Sequence, residues 1–186
     1  AGRTRFDSTA LHDAANVHDN ADVIRLLLDR GADVNAADKY HNQPIHRASG
    51  CVNIRCLVQA GADVEQAFVV AAIQGFDDVV DDLVDRGVDV DARDIFGWTA
   101  MLRAVQHDRF GVLRQLLAHG AAPNEFSADR RYTALGYTFG VRHEVMTLLL
   151  AAGADVNAAC LDGAVPLHVA LRRELYQYVS PLLAAG

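Results

Sequence analysis

His143-Glu144-Val145-Met146-Thr147 opens as a zinc-protease motif does, with a histidine to hold the metal and a glutamate to act as general base. The second histidine belongs at position 147, one helical turn on, and Thr147 stands there. Without it the segment reads as a helix start, with Glu144 near the positive end of the dipole. Asp89-Val90-Asp91-Ala92-Arg93-Asp94 carries the alternating carboxylates of a calcium loop, but its fifth position is the cation Arg93 and its sixth is not glycine. Cys51, Cys56 and Cys160 are odd in number and lack Cys-x-x-Cys spacing, which argues against a disulfide framework or a zinc ribbon. They read as small buried thiols in a reducing compartment. Lys39 is followed by Tyr40, so it belongs to no phosphate-cradling Gly-Lys-Ser/Thr loop. No two glycines stand two residues apart, which removes the dinucleotide fingerprint. Ser8, Ser49, Ser127 and Ser180 lie outside any nucleophile elbow. The expectation is a chain with no enzymatic activity, no metal and no cofactor.

The 186 residues carry a net charge of −7, which disfavours nucleic acid as a partner. The charge is uneven. Residues 1–97 hold 9 Lys or Arg against 17 Asp or Glu, and residues 98–186 hold 8 Arg against 7 Asp or Glu. The longest apolar run, Ala67 to Ile73, is far short of the roughly 20 residues of a membrane helix. No basic-then-apolar segment opens the chain, and a cytoplasmic location is the expectation, with a processed start left open.

The elements that would position any working residue recur at a fixed period. Gly31-Ala32-Asp33-Val34-Asn35-Ala36 returns as Gly153-Ala154-Asp155-Val156-Asn157-Ala158. Weaker copies begin at Gly61, Gly87 and Gly120, and Gly186 falls in the same phase, giving spacings of 30, 26, 33, 33 and 33. Each glycine follows an apolar helical stretch, as Val23 to Leu28 precedes Gly31, and a helix C-terminus favours glycine because it turns left-handed without a Cβ clash. A second signature follows about 12 residues later: Thr9-Ala10-Leu11-His12, Gln43-Pro44-Ile45-His46, Thr99-Ala100-Met101-Leu102, Thr133-Ala134-Leu135-Gly136 and Val165-Pro166-Leu167-His168. Thr is a good N-cap and Pro suits the first helical position. Each unit therefore opens a short helix, turns, runs a second helix and stops at the glycine.

These residues resemble the ankyrin repeat, with its Thr-Pro-Leu-His opening, paired alanines and Gly-Ala-Asp-Val-Asn-Ala close. The resemblance covers residues 6–186 and counts six repeats. It implies an all-α repeat solenoid of stacked helix pairs, β-hairpin fingers along one edge, and a concave face of inner helices and fingers. It also implies that His12, His46 and His168 make structural hydrogen bonds to backbone. The bottom-up reading agrees, since two-turn helices cannot bury an apolar face without stacked neighbours. Residues 1–186 are read as a single array. Whether it stands alone or was cut from a longer protein stays open.

Departures from the period carry their own expectations. Seven residues are missing after Gly61, so one finger should be absent between the second and third units. The second unit is about three residues short near Ser49 and Gly50, and the finger from Asn124 to Tyr132 is one residue longer than the period allows. Gly136, Thr138 and Phe139 replace the motif residues of the fifth unit. Pro181 should kink or delay the last helix.

Binding chemistry is expected where packing leaves residues free. Asp94-Ile95-Phe96-Gly97-Trp98 puts Ile95, Phe96 and the single Trp of the chain on one finger, and aromatics are enriched at interface hot spots. All of Ile95, Phe96 and Trp98 are expected to be exposed. Tyr40 and Tyr132 lie on other fingers, and Arg130 and Arg131 could clamp carboxylates. Arg103, Gln106, His107, Arg172 and Arg173 fall on or just after inner helices. His18, His41, His107 and His119 are expected in exposed loops. Asp77, Asp78, Asp81, Asp82 and Asp85 crowd one outer helix, read as a wet convex face. The function expected is a non-enzymatic protein-binding module, an inhibitor or adaptor, taking no nucleic acid, membrane or small-molecule substrate. The alternative is a regulatory or targeting array within a larger enzyme, effector or channel.

Overall fold

A computed structural model describes residues 7–129, 131–138 and 143–186. Among the described residues the helices form six consecutive pairs, three in each of two compact units that divide between Val88 and Asp89.

In the first unit, α1 (Ala10–Asn16) pairs with α2 (Ala21–Asp29), a 3-10 turn (Pro44–Arg47) with α3 (Cys51–Gln59), and α4 (Val64–Gln74) with α5 (Asp77–Asp85). The core is apolar and continuous: Leu11, Ile24, Ile45, Ile54, Leu57, Phe68 and Val80 are all excluded from solvent. Ala15, Ala71 and Ala72 are equally buried, and such small side chains bring the inner helices close. The second pair departs from expectation, since its opening helix is a four-residue 3-10 turn. The polar groups its missing turn would have satisfied are met from α4. Gln74 donates its side-chain amide to the Ala48 carbonyl and accepts the Gly50 N–H at 3.3 Å. Asn53 is fully buried and accepts the Asn20 N–H at 2.9 Å. Its amide donates to the Val17 and Ser49 carbonyls, both at 2.7 Å, tying the first two pairs together. The sequence reading passed over Asn53, because nothing in its spacing separates it from a surface residue.

The absent finger is real. After Gly61 the chain reaches Asp63, whose carboxylate accepts the N–H groups of Glu65 and Gln66 at 3.0 and 3.1 Å and starts α4 at once.

In the second unit, α6 (Ala100–Gln106) pairs with α7 (Phe110–Ala118), and α8 (Ala134–Tyr137) with α9 (His143–Ala151). The last pair is α10 (Pro166–Arg172) and a 3-10 turn (Tyr176–Tyr178) running into α11 (Val179–Ala185). Pro181 thus sits in the first turn of α11 behind a 3-10 entry, a delayed start as the sequence implies. Thr99 and Thr133 cap α6 and α8 by accepting the N–H groups of Leu102 at 3.3 Å and Gly136 at 3.2 Å. The fingers are tight turns, two of them closed by single antiparallel bridges, Arg93 to Thr99 and Phe126 to Thr133, and no β-strand forms among the described residues. The expected hairpins are thus shorter than the resemblance implied.

Candidate functional site

The motif histidines explain how each finger meets its inner helix. His12 is buried and its Nδ1 takes the Thr9 N–H at 3.2 Å. That nitrogen is therefore the acceptor, and Nε2–H donates to the Asn42 carbonyl 2.9 Å away, in the next finger. His46 Nδ1 takes the Gln43 N–H at 2.8 Å in the same way. Where the next finger is missing, its Nε2 meets the Gln66 side chain at 3.2 Å instead. His168 makes the local bond to Val165 N–H at 3.3 Å. His18, His41, His107 and His119 are exposed, as expected. Partial desolvation of the ring, then the charges of Arg109 and Arg103, holds the His107 imidazole below its ordinary range.

A second device recurs in the fingers. Four of them close with the same backbone bond, from the N–H of Asp38, Asp94, Ser127 and Cys160 to the carbonyls of Asn42, Trp98, Tyr132 and Ala164. This aligns those four residues. In the first of these fingers the Asp38 carboxylate accepts the N–H groups of Tyr40 at 2.8 Å and Asn42 at 3.0 Å, and pairs with Arg47 of the inner turn at 2.7 Å. In the second, Asp94 accepts from Phe96 at 2.8 Å and Trp98 at 2.9 Å, and Arg103 of α6 donates to it at 2.7 Å. An Asp–Arg clamp thus pins finger to helix. Ser127 and Tyr137 occupy the equivalent places in the fifth repeat, and Cys160 and Val169 in the sixth.

The clamp organises most of the sequence-nominated surface. Arg103 lies over Trp98 at 4.8 Å and Phe96 at 5.7 Å, a cation on two ring faces, and also donates to the Gln106 side chain at 2.9 Å. Gln106 in turn donates to the Tyr137 hydroxyl at 3.3 Å. Tyr137 stands edge-on to Trp98 at 5.5 Å and to Tyr132 at 5.0 Å. The result is one aromatic line, Trp98–Tyr137–Tyr132, under an exposed tip of Ile95 and Phe96, the latter 65% exposed. Trp98 itself corrects an expectation: it is half-buried, because Tyr137 and Arg103 cover two of its sides. Tyr137 was missed. Its position, four residues after the Thr133 cap, matches that of Arg103 after Thr99, and that register was the available signal.

Arg131, Tyr132, Arg172 and Arg173 come together further along the second unit, lining a groove of about 550 Å³ with Cys160, Leu161 and Val169 among others. The thiols are also a correction: Cys56 is buried, whereas Cys51 and Cys160 are half-buried, and all three are free. Tyr40 is exposed on the finger of the first unit, with Lys39 Nζ 4.7 Å from its ring centroid. Arg130 lies outside the described residues, as does Phe139. On α5, Asp77, Asp78 and Asp85 are exposed, and Asp78 and Asp82 pair with Arg55 at 2.7 Å and Arg86 at 2.8 Å.

Models of the ankyrin repeat match residues 6–39 and, as three copies, residues 68–160. The chain belongs to the ankyrin-repeat family. The two matched spans flank the shortened second repeat and its missing finger. An ankyrin repeat-containing protein of Treponema pallidum (strain Nichols) is 30% identical over 123 residues, 66% of this chain and 41% of its own. Human ankyrin repeat and SOCS box protein 6 is 29% identical over 182 residues, 90% of this chain and 40% of its own. The nuclear factor NF-kappa-B p105 subunit of Gallus gallus is 27% identical over 189 residues, 99% of this chain and 17% of its own. The chain therefore spans less than half the length of these curated relatives. Ankyrin repeats are protein–protein interaction modules, and the array is assigned to that broad class. Among the described residues no helix is long and apolar enough to cross a membrane.

Proposed function

We propose that this ankyrin array is a non-enzymatic binding module that grips a partner protein with finger tips and inner helices, as an inhibitor or adaptor would. The observation that supports this is the exposed Ile95-Phe96 tip braced by the Asp94–Arg103 clamp and the Trp98–Tyr137–Tyr132 line. A rigid aromatic edge loses little side-chain entropy when covered, which is the quality of a hot spot. The proposal treats residues 1–186 as one array in a reducing, cytoplasmic setting, for which the three free thiols are the support. It takes no cofactor, nucleic acid or small-molecule substrate. A second reading is an array serving a larger protein, favoured by the relatives being more than twice as long as the matched span.

The test is to capture the partner by affinity purification, identify it by mass spectrometry, and measure its binding by calorimetry. Phe96→Ala should cost about 2 kcal/mol or more in affinity. Asp85→Ala, exposed on α5, should leave binding within about 0.5 kcal/mol of the parent. If Asp85 matters and Phe96 does not, the acidic outer helix is the working surface.

A further inference from the structure

The groove of the second unit lies where Cys160 and Val169 stand at the clamp positions of the sixth repeat. Where Asp94 and Arg103 fill the space between finger and helix, Cys160 and Val169 leave it open, and both line the groove. Burial, then the Asp162 carboxylate, pushes the Cys160 thiol up, so it stays an uncharged wall at neutral pH. Leu161, at the finger tip, is 72% exposed, and Tyr132, the end of the aromatic line, forms part of the other wall. An apolar trough with so exposed a wall suits an extended chain better than an enclosed small molecule.

Its rim is cationic. Arg131, Arg172 and Arg173 face it, with Asp162 the lining carboxylate, in a chain whose net charge is −7. Arg172 meets Asp162 at 3.5 Å and Arg131 meets Asp129 at 3.4 Å, all four side chains at least half exposed to water. Ion pairs of that kind contribute little and exchange readily for a better-placed carboxylate. Arginine presents the planar fork that such a carboxylate fits.

We infer that this groove takes an extended segment of a partner protein that inserts an apolar side chain between Tyr132, Leu161 and Val169 and presents a nearby Asp or Glu to Arg131 and Arg172. The inference rests on the protein-binding reading above and names the chemistry of one of its contacts. The occupant is acidic because three arginines and one carboxylate line the groove, so a carboxylate there gains energy in a chain that is otherwise acidic.

The experiment uses the full chain and a displayed library of random peptides about ten residues long, which reach about 33 Å when extended. Selected peptides should pair an apolar residue with Asp or Glu within a few positions. A synthetic selected peptide should bind the Arg131→Glu/Arg172→Glu variant about tenfold more weakly or worse, and should slow alkylation of Cys160. Leu161→Asp should also weaken it, and both variants alter exposed positions, so circular dichroism should show them folded. Enrichment of nothing, enrichment of peptides without acidic residues, or equal binding by the double variant overturns the groove. If the captured partner loses affinity with Phe96→Ala but ignores the double variant, the groove falls and the protein-binding reading stands. If it ignores both, the groove and the Ile95-Phe96 tip fall together as contact surfaces.

Discussion

Asp38 is fully covered at its side chain, and burial alone would raise its pKa. The N–H groups of Tyr40 and Asn42 and the Arg47 guanidinium outweigh burial and bring it down to about 2. A carboxylate held below its unfolded value adds stability above the unfolded pKa and loses it as pH falls towards the folded one. Acidification from about pH 4 to pH 2 should therefore remove about 2 kcal/mol at this residue. Urea denaturation across that range checks it: Asp38→Asn should lack this share of the acid loss and start out less stable at pH 7. His46 offers a second measurement. His46→Ala strands the Gln43 N–H, and loss of such a partner costs about 1–3 kcal/mol of stability, read as a lower denaturation midpoint.

Among the elements, the finger from Asp94 to Trp98 depends on Gly97, whose φ is +75°. A Cβ built there collides with Ala128 of the next finger. Gly97→Val should therefore cost about 1–3 kcal/mol and weaken partner binding as well, read by thermal melting and calorimetry on the same sample. The repeat period made the helix pairs and the absent finger legible, because glycine stops and Thr or Pro starts are local signals that survive in each copy. What stayed hidden was contact between repeats. Trp98 reads as a free finger aromatic until Tyr137, 39 residues later, is placed beside it by stacking. Arg103 was nominated for its charge, while its reach back to Asp94 depends on how finger and helix fold over each other. The groove was half legible: its arginines and Tyr132 were nominated, but Cys160 and Val169 become informative only when their register with Asp94 and Arg103 is known.

For the molecule as a whole, the uneven charge sets how an acidic partner arrives. Residues 1–97, with 17 acidic side chains, repel it, and the arginine rim of the second unit draws it in. Raising salt from about 0.05 to about 0.5 M should slow association several-fold in stopped-flow measurements while dissociation changes little. Phe68 fills the core of the first unit, and Phe68→Ala should lower overall stability by about 3–5 kcal/mol by circular dichroism. The single tryptophan sits in the other unit, edge-on to Tyr137, which is edge-on to Tyr132. Light absorbed by those two tyrosines is handed to Trp98 only while the three rings stay together. Tryptophan emission from this chain is thus a gauge of the fourth and fifth repeats, and a melting curve followed by it and one followed by helical ellipticity report on different stretches of the same polypeptide.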